Sequence, residues 1–208
     1  MISRISRDVS TCAGMAVIVC LAAAMLAGCG LLEPREPELP ASAGSQFESP
    51  TSPTIVLRNL ERSLLSANAS DYRRCFSDSS KGLPLFRFNP SAQGLSMAPA
   101  TFAEWGTDHE VRYISNAFAE LETGELASVS FSPPDVTDPP FGDSVQFSAS
   151  YSLRLPHRRI DVDQLAQGRL QFTFRQSQQG EWYIATWRDI VVDNVTSWSV
   201  LKARFYDR

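Results

Sequence analysis

The chain has 208 residues, of which 19 are Lys or Arg and 23 are Asp or Glu, for a formal net charge of −4. A hydrophobic fraction of 43% with 10% aromatics excludes a disordered chain. The mild acidity gives no basis for binding nucleic acid, whose phosphates need clustered Lys and Arg, and the short basic run His157-Arg158-Arg159 reads as a solvated loop.

Residues 1–28 read as an export signal. Arg4 and Arg7 precede an apolar stretch from Met15 to Leu26 that is too short to span a bilayer as a permanent helix. It runs into Leu26-Ala27-Gly28-Cys29, which resembles the lipobox of bacterial lipoproteins. That resemblance implies cleavage before Cys29, a diacylglycerol on the Cys29 thiol, and residence in the cell envelope. Gly30, where Asp would retain the protein, implies the outer membrane. At about 0.8 kcal/mol per buried methylene, two or three acyl chains amount to stable anchoring. Cys12 and Cys20 fall within the leader, so Cys75 is left without a disulfide partner and is expected as a buried, inert thiol. No Cys/His grouping has metal-ligand spacing, and no metal or cofactor is expected.

Residues 29–52, with Pro34, Pro37, Pro40 and Pro50 among Ser, Glu and Gly, read as a lipid-anchored, extended linker, and residues 53–208 as one domain. Ser52 as N-cap and Pro53 in the first helical position open a helix with Val56, Leu57, Leu60 and Leu64 on its apolar face. A short helix from Ser70 presents Tyr72, Cys75 and Phe76, and Phe86 and Phe88 flank Arg87 as in a strand. Thr101 and Glu104 are spaced as a capping box before a third helix carrying Phe102, Trp105, Tyr113, Ile114 and Phe118. After Gly124 the period becomes two: first Ala127, Val129 and Phe131, then Val145 to Leu155, where every second residue is apolar and the residues between are mostly Ser. Leu170, Phe172 and Phe174 mark the next strand, Gly180 a turn, and Trp182–Val192 the last. A final segment with Trp198, Leu201, Lys202, Phe205 and Tyr206 is expected to pack back on the sheet. Helices followed by an antiparallel sheet make an α+β order, with the N-terminal helices covering the sheet's one apolar face.

Over roughly residues 53–206 this order resembles the nuclear transport factor 2-like superfamily, the cystatin-like cone of SnoaL-type cyclases and ketosteroid isomerase. The Ser52-Pro53 helix, the Ser70 to Phe76 helix, the Phe86/Phe88 strand, the Trp105 helix and Gly180-Glu181-Trp182-Tyr183-Ile184 carry the likeness. It implies a strongly curved antiparallel sheet around the first helix and a cavity at the cone's open end. Fold alone assigns no reaction. The expected cavity is lined by Tyr72, Trp105, Tyr151 and Trp187, with His109, Arg154, Arg188 and Asp189 as nearby polar candidates. Two readings follow. One is a non-catalytic envelope lipoprotein binding a small apolar ligand or an envelope protein; the other is a cone-pocket lyase or isomerase with Asp189 or His109 as general base.

Overall fold

The computed structural model describes residues 46–133, 136–137, 142–193 and 195–207, so the leader, Cys29 and most of the linker lie outside the described residues. Residues 45–208 form one compact unit with its own hydrophobic core.

Helix α1 (Pro53–Leu65) begins as its sequence dictates: the Ser52 side chain accepts the Ile55 N–H, and Pro53 occupies the first turn. Its apolar stripe, Val56, Leu60 and Leu64, is fully buried. Asn68 caps α2 (Ala69–Arg74), which buries Tyr72. A short strand, β1 (Arg87–Asn89), turns Phe88 inward.

The expected third helix is three. Ser91 caps α3 (Ala92–Met97), Pro99 starts α4 (Pro99–Ala103), and α5 (Thr107–Ala119) follows a break at Trp105-Gly106. Thr101 and Glu104 therefore form no capping box: Thr101 lies inside α4 and Glu104 ends it. Pro99, which prefers a first helical turn, sets the start three residues earlier, with Ala98 in place of Thr101 at the N-cap.

The sheet comprises β2 (Ser128–Phe131), β3 (Val136–Thr137), β4 (Ser144–Arg154), β5 (Leu165–Gln176) and β6 (Trp182–Ile190), besides β1. Its order is β1-β6-β5-β4-β2, with β3 also on β4. All neighbours are antiparallel except β1, which pairs parallel to β6, so the sheet is mixed rather than purely antiparallel. Along β4 buried and accessible residues alternate strictly, and the inward set is Val145, Phe147, Ala149, Tyr151 and Leu153.

Curvature follows from what α1 touches. The helix packs against both β2 and β6, which β4 and β5 separate. Three strand spacings on a flat sheet span about 14 Å, more than a helix about 10 Å wide can bridge, so the sheet wraps around the helix. A register shift between Thr173 and Phe174 marks a bulge in β5 against β6. Gly168 makes a close approach possible: a Cβ there would sit 2.9 Å from the Tyr151 hydroxyl.

Helix α6 (Trp198–Tyr206) closes the fold. It packs chiefly on α5 and α3, with a smaller contact to β5. Trp198, Leu201, Lys202 and Phe205 are buried. Gly94 of α3 seats it closely, for a Cβ on Gly94 would fall 2.3 Å from the Ser199 Cβ.

The last part of the expected linker is bound to the domain. The Asn59 side chain accepts the Glu48 N–H at 3.0 Å and donates to the Glu48 carbonyl at 2.8 Å. Glu48 also pairs with Arg58 and Arg62, and Trp182 donates its N–H to the Pro50 carbonyl at 2.7 Å. The Arg62 hydrogen bond is the main cause holding the Glu48 carboxyl below its ordinary value.

Candidate functional site

The inside of the cone is occupied by the chain's own polar groups. Glu110, on the first turns of α5, is fully buried and accepts three hydrogen bonds: from the Tyr72 hydroxyl at 3.0 Å, from the Trp105 indole at 2.7 Å, and from the Lys202 ammonium. Lys202 reaches it from α6. Its Nζ lies 3.6 Å from the centroid of the Phe88 ring and 3.7 Å from that of Trp187, so the ammonium is held between two aromatic faces and a carboxylate. Burial pushes the Lys202 ammonium down to about 8, with Glu110 acting in the opposite direction. Burial, reinforced by Glu110, raises the Tyr72 phenol well above its usual value.

A second cluster lies beside the first. Asp189, on β6, accepts the Tyr151 hydroxyl at 2.7 Å, the Ser199 N–H at 2.7 Å and the Ser199 hydroxyl. The Tyr151 hydroxyl in turn accepts the Trp198 N–H at 2.7 Å, and the Trp198 indole donates to the Tyr113 hydroxyl at 2.9 Å. The Trp198 ring meets that of Trp187 edge-on, 4.6 Å between centroids. The first turn of α6 thus satisfies its free N–H groups on a buried carboxylate and phenol, an arrangement its dipole favours.

The expected cavity-lining residues do converge here, but on each other and on α6. Tyr72 and Trp187 are 0% exposed, Asp189 2%, Trp105 3% and Tyr151 4%. Trp198 packs on Tyr151 and Trp187, and the Lys202 ammonium lies over the Trp187 ring. Both carboxylate oxygens of Asp189 thus accept hydrogen bonds from internal donors. His109 faces another way. It stands at the protein surface, half-buried, stacked on Tyr206 at 5.3 Å, with its Nδ1 accepting the Gly106 N–H at 3.5 Å. Arg154 and Arg188 point from the outer face of the sheet, away from the cone. Cys29 lies outside the described residues.

An open groove of about 820 Å³ runs along β1 and the start of α5. Its walls include Arg73, Leu85, Arg87, Asn89, Trp105 and His109. Leu85 is 63% exposed in it. Phe88 and Trp105 line it as well, and Phe88 is also one of the two rings that hold the Lys202 ammonium. Among the described residues no group of His, Cys, Asp and Glu could hold a metal ion, and no helix is long and apolar enough to cross a membrane.

Two residues that organise the interior, Glu110 and Lys202, were not among the candidates from sequence, although a signal exists for each. Glu110 precedes Tyr113, Ile114 and Ala117 by three, four and seven residues, and so lies on the buried stripe of α5. Lys202 lies four residues after Trp198 and three before Phe205, on the buried stripe of α6. A charge of each sign inside an apolar stripe is the mark of a buried pair.

No known family model and no curated protein matches the sequence. Solved structures of similar shape include a nuclear transport factor 2-like superfamily protein from Salmonella enterica serovar Typhimurium. It is 12% identical, with 68% of this chain and 91% of that one covered at a TM-score of 0.49. A putative dehydratase of the same family from Streptomyces avermitilis is 9% identical, with coverages of 67% and 93% and a TM-score of 0.48. A protein of unknown function from Mycobacterium tuberculosis is 13% identical, with coverages of 74% and 82% and a TM-score of 0.47. Likenesses at this level assign no function. The chain folds as an α+β unit, helices over one curved open sheet.

Proposed function

We propose that the protein is an envelope lipoprotein, held at the membrane through an acylated Cys29, whose cone is a non-catalytic module that presents the β1 groove to a partner protein of the envelope. The observation carrying the non-catalytic part is the filled cone: α6 brings Lys202 onto Glu110 and Ser199 onto Asp189, so each interior carboxylate has internal donors. A general base must come within hydrogen-bond reach of a substrate proton, and both carboxylates are buried beneath α6 and its neighbours. The groove is where an outside partner can meet the aromatic cluster, and its mixed charged and apolar rim suits a polypeptide segment better than a small apolar molecule. The lipid anchor rests on the Leu26 to Cys29 motif after its short apolar core.

The test has two arms. In cells fed labelled palmitate, the Cys29→Ser chain takes up no label and remains as unprocessed precursor; normal labelling contradicts the anchor. A photo-crosslinking residue at Leu85 gives a discrete protein adduct that Arg87→Glu suppresses, whereas the same residue at the fully exposed Ile160 does not. Identical products from both positions, or none from Leu85, contradict the groove.

A further inference from the structure

One end of the sheet carries an unusual surface. The β4–β5 loop and the segment after β6 lie side by side there: Thr196 donates its hydroxyl to Asp163, and the Gln167 N–H bonds to the Thr196 carbonyl at 2.8 Å. Five aliphatic residues of these segments and the strand ends beside them are exposed, one fully and four in part. Ile160 is 103% exposed, Leu165 48%, Ile190 40%, Val192 38% and Val195 37%. Single exposed aliphatics are ordinary, but several in two adjoining segments are a candidate interaction surface.

The outward face behind that tip is cationic. Leu165 and Ile190 share it with Arg154, Arg169 and Arg188, and Arg175 and Arg87 lie further along the same face. The remaining outward residues of β4 and β5 are Ser, Thr and Gln, and no Asp or Glu occupies an outward position on either strand or on β6. In a chain with more acidic than basic residues this is a segregation of charge. Arg154 and Arg175 pair with Glu125 and Asp143 at the margins. Asp161, Asp163 and Asp193 lie in the two loops of the tip.

We infer that this tip docks on an anionic lipid surface, with Ile160, Leu165, Ile190, Val192 and Val195 entering the interface and Arg154, Arg169 and Arg188 meeting the head groups. This rests on the reading of Cys29 as the lipid-bearing residue, which puts a membrane within reach. Exposed aliphatics at the end of the sheet with guanidinium groups on the face behind them match the layering of that surface, apolar below and negatively charged above, while the Asp161, Asp163 and Asp193 carboxylates of the tip loops are left on the side turned to water. A second copy of the chain would present the same positive face to itself, and like charges oppose that pairing. The stretch of about 16 residues between Cys29 and Gln46 spans at most about 50 Å when extended, which lets the tip return to the bilayer.

The test uses the unacylated unit from residue 45, which carries its own core, so that docking is read apart from anchoring. Vesicles of phosphatidylcholine with about 30 mol % phosphatidylglycerol co-sediment the unit at low salt, and phosphatidylcholine alone does not. Arg169→Gln and Arg188→Gln each weaken binding about five-fold. Ile190→Ser with Val192→Ser weakens it at every salt concentration, while binding by the unsubstituted unit falls as salt rises. These positions are exposed, and unchanged circular dichroism shows that the variants fold. Equal binding to neutral and anionic vesicles, no binding to either, or a dimer that the same substitutions dissolve overturns the docking. Palmitate labelling at Cys29 stands or falls separately.

Discussion

Lys202 and Glu110 show how a charged pair is accommodated in an apolar interior. Removing two ions from water costs several kcal/mol each, and here the carboxylate recovers that through Tyr72 and Trp105 as well as the ammonium, while the ammonium lies over two rings. Removing one partner strands the rest. Glu110→Ala is expected to destabilise the domain by about 3–5 kcal/mol, and Lys202→Met in the same chain to return a large part of it, as read by urea unfolding of the single and double variants. A double variant as unstable as the sum of the singles contradicts the coupling.

The same lysine gives stability a pH signature. Its folded-state value near 8 lies below the 10.5 of a free lysine, so between these the unfolded chain holds more protons and stability rises with pH. The Cys75 thiol and the Tyr72, Tyr113 and Tyr151 phenols are raised by burial and act oppositely, costing stability above about 9 and 10, where the unfolded groups ionise. Unfolding free energy should therefore be higher at pH 8.5 than at 7 by about 1 kcal/mol and lower at 11. Lys202→Met removes the rise and keeps the fall; a rise of the same size in that variant contradicts the assignment.

At the scale of elements, the periodic segments were legible in the sequence and the breaks between them were not. The β4 alternation, the Ser52-Pro53 helix start and the buried Cys75 follow from local pattern, and the structure has each of them. Helix α3 was hidden because Ala92 to Met97 has no apolar stripe of its own; it exists to receive α6 at Gly94. The parallel pairing of β1 with β6 joins segments about a hundred residues apart, and nothing local encodes it. For the candidate site, the convergence of Tyr72, Trp105, Tyr151 and Trp187 could be read from which faces are apolar. That α6 fills the space between them could not, because it depends on where a segment beyond the last strand returns. Gly94→Ala tests the seat of that helix: with Ser199 Cβ 2.3 Å from the added methyl, the helix must shift, and a melting temperature lower by several degrees is expected, against the small gain Gly→Ala gives in an unhindered helix. A gain would show that α3 and α6 are further apart than described.

For the whole molecule, the fold separates three surfaces: a cone whose interior is self-occupied, a groove along β1, and a sheet tip with aliphatic and cationic side chains. The division of labour depends on the first. If α6 left the cone in solution, Tyr72, Tyr151, Trp187 and Asp189 would line a cavity as the sequence resemblance implies, and an enzyme reading would return. The chain contains two lysines, Lys81 and Lys202, and this allows a direct measurement. Lys81 has a side chain 21% exposed and Lys202 none. Brief treatment of the native protein with an amine-acylating ester at pH 8.5, followed by peptide mapping, should modify Lys81 and leave Lys202 protected by at least about a hundred-fold, with both modified in denaturant. Since an accessible amine with a value near 8 would react faster than an ordinary lysine, rapid native labelling of Lys202 would contradict the filled cone.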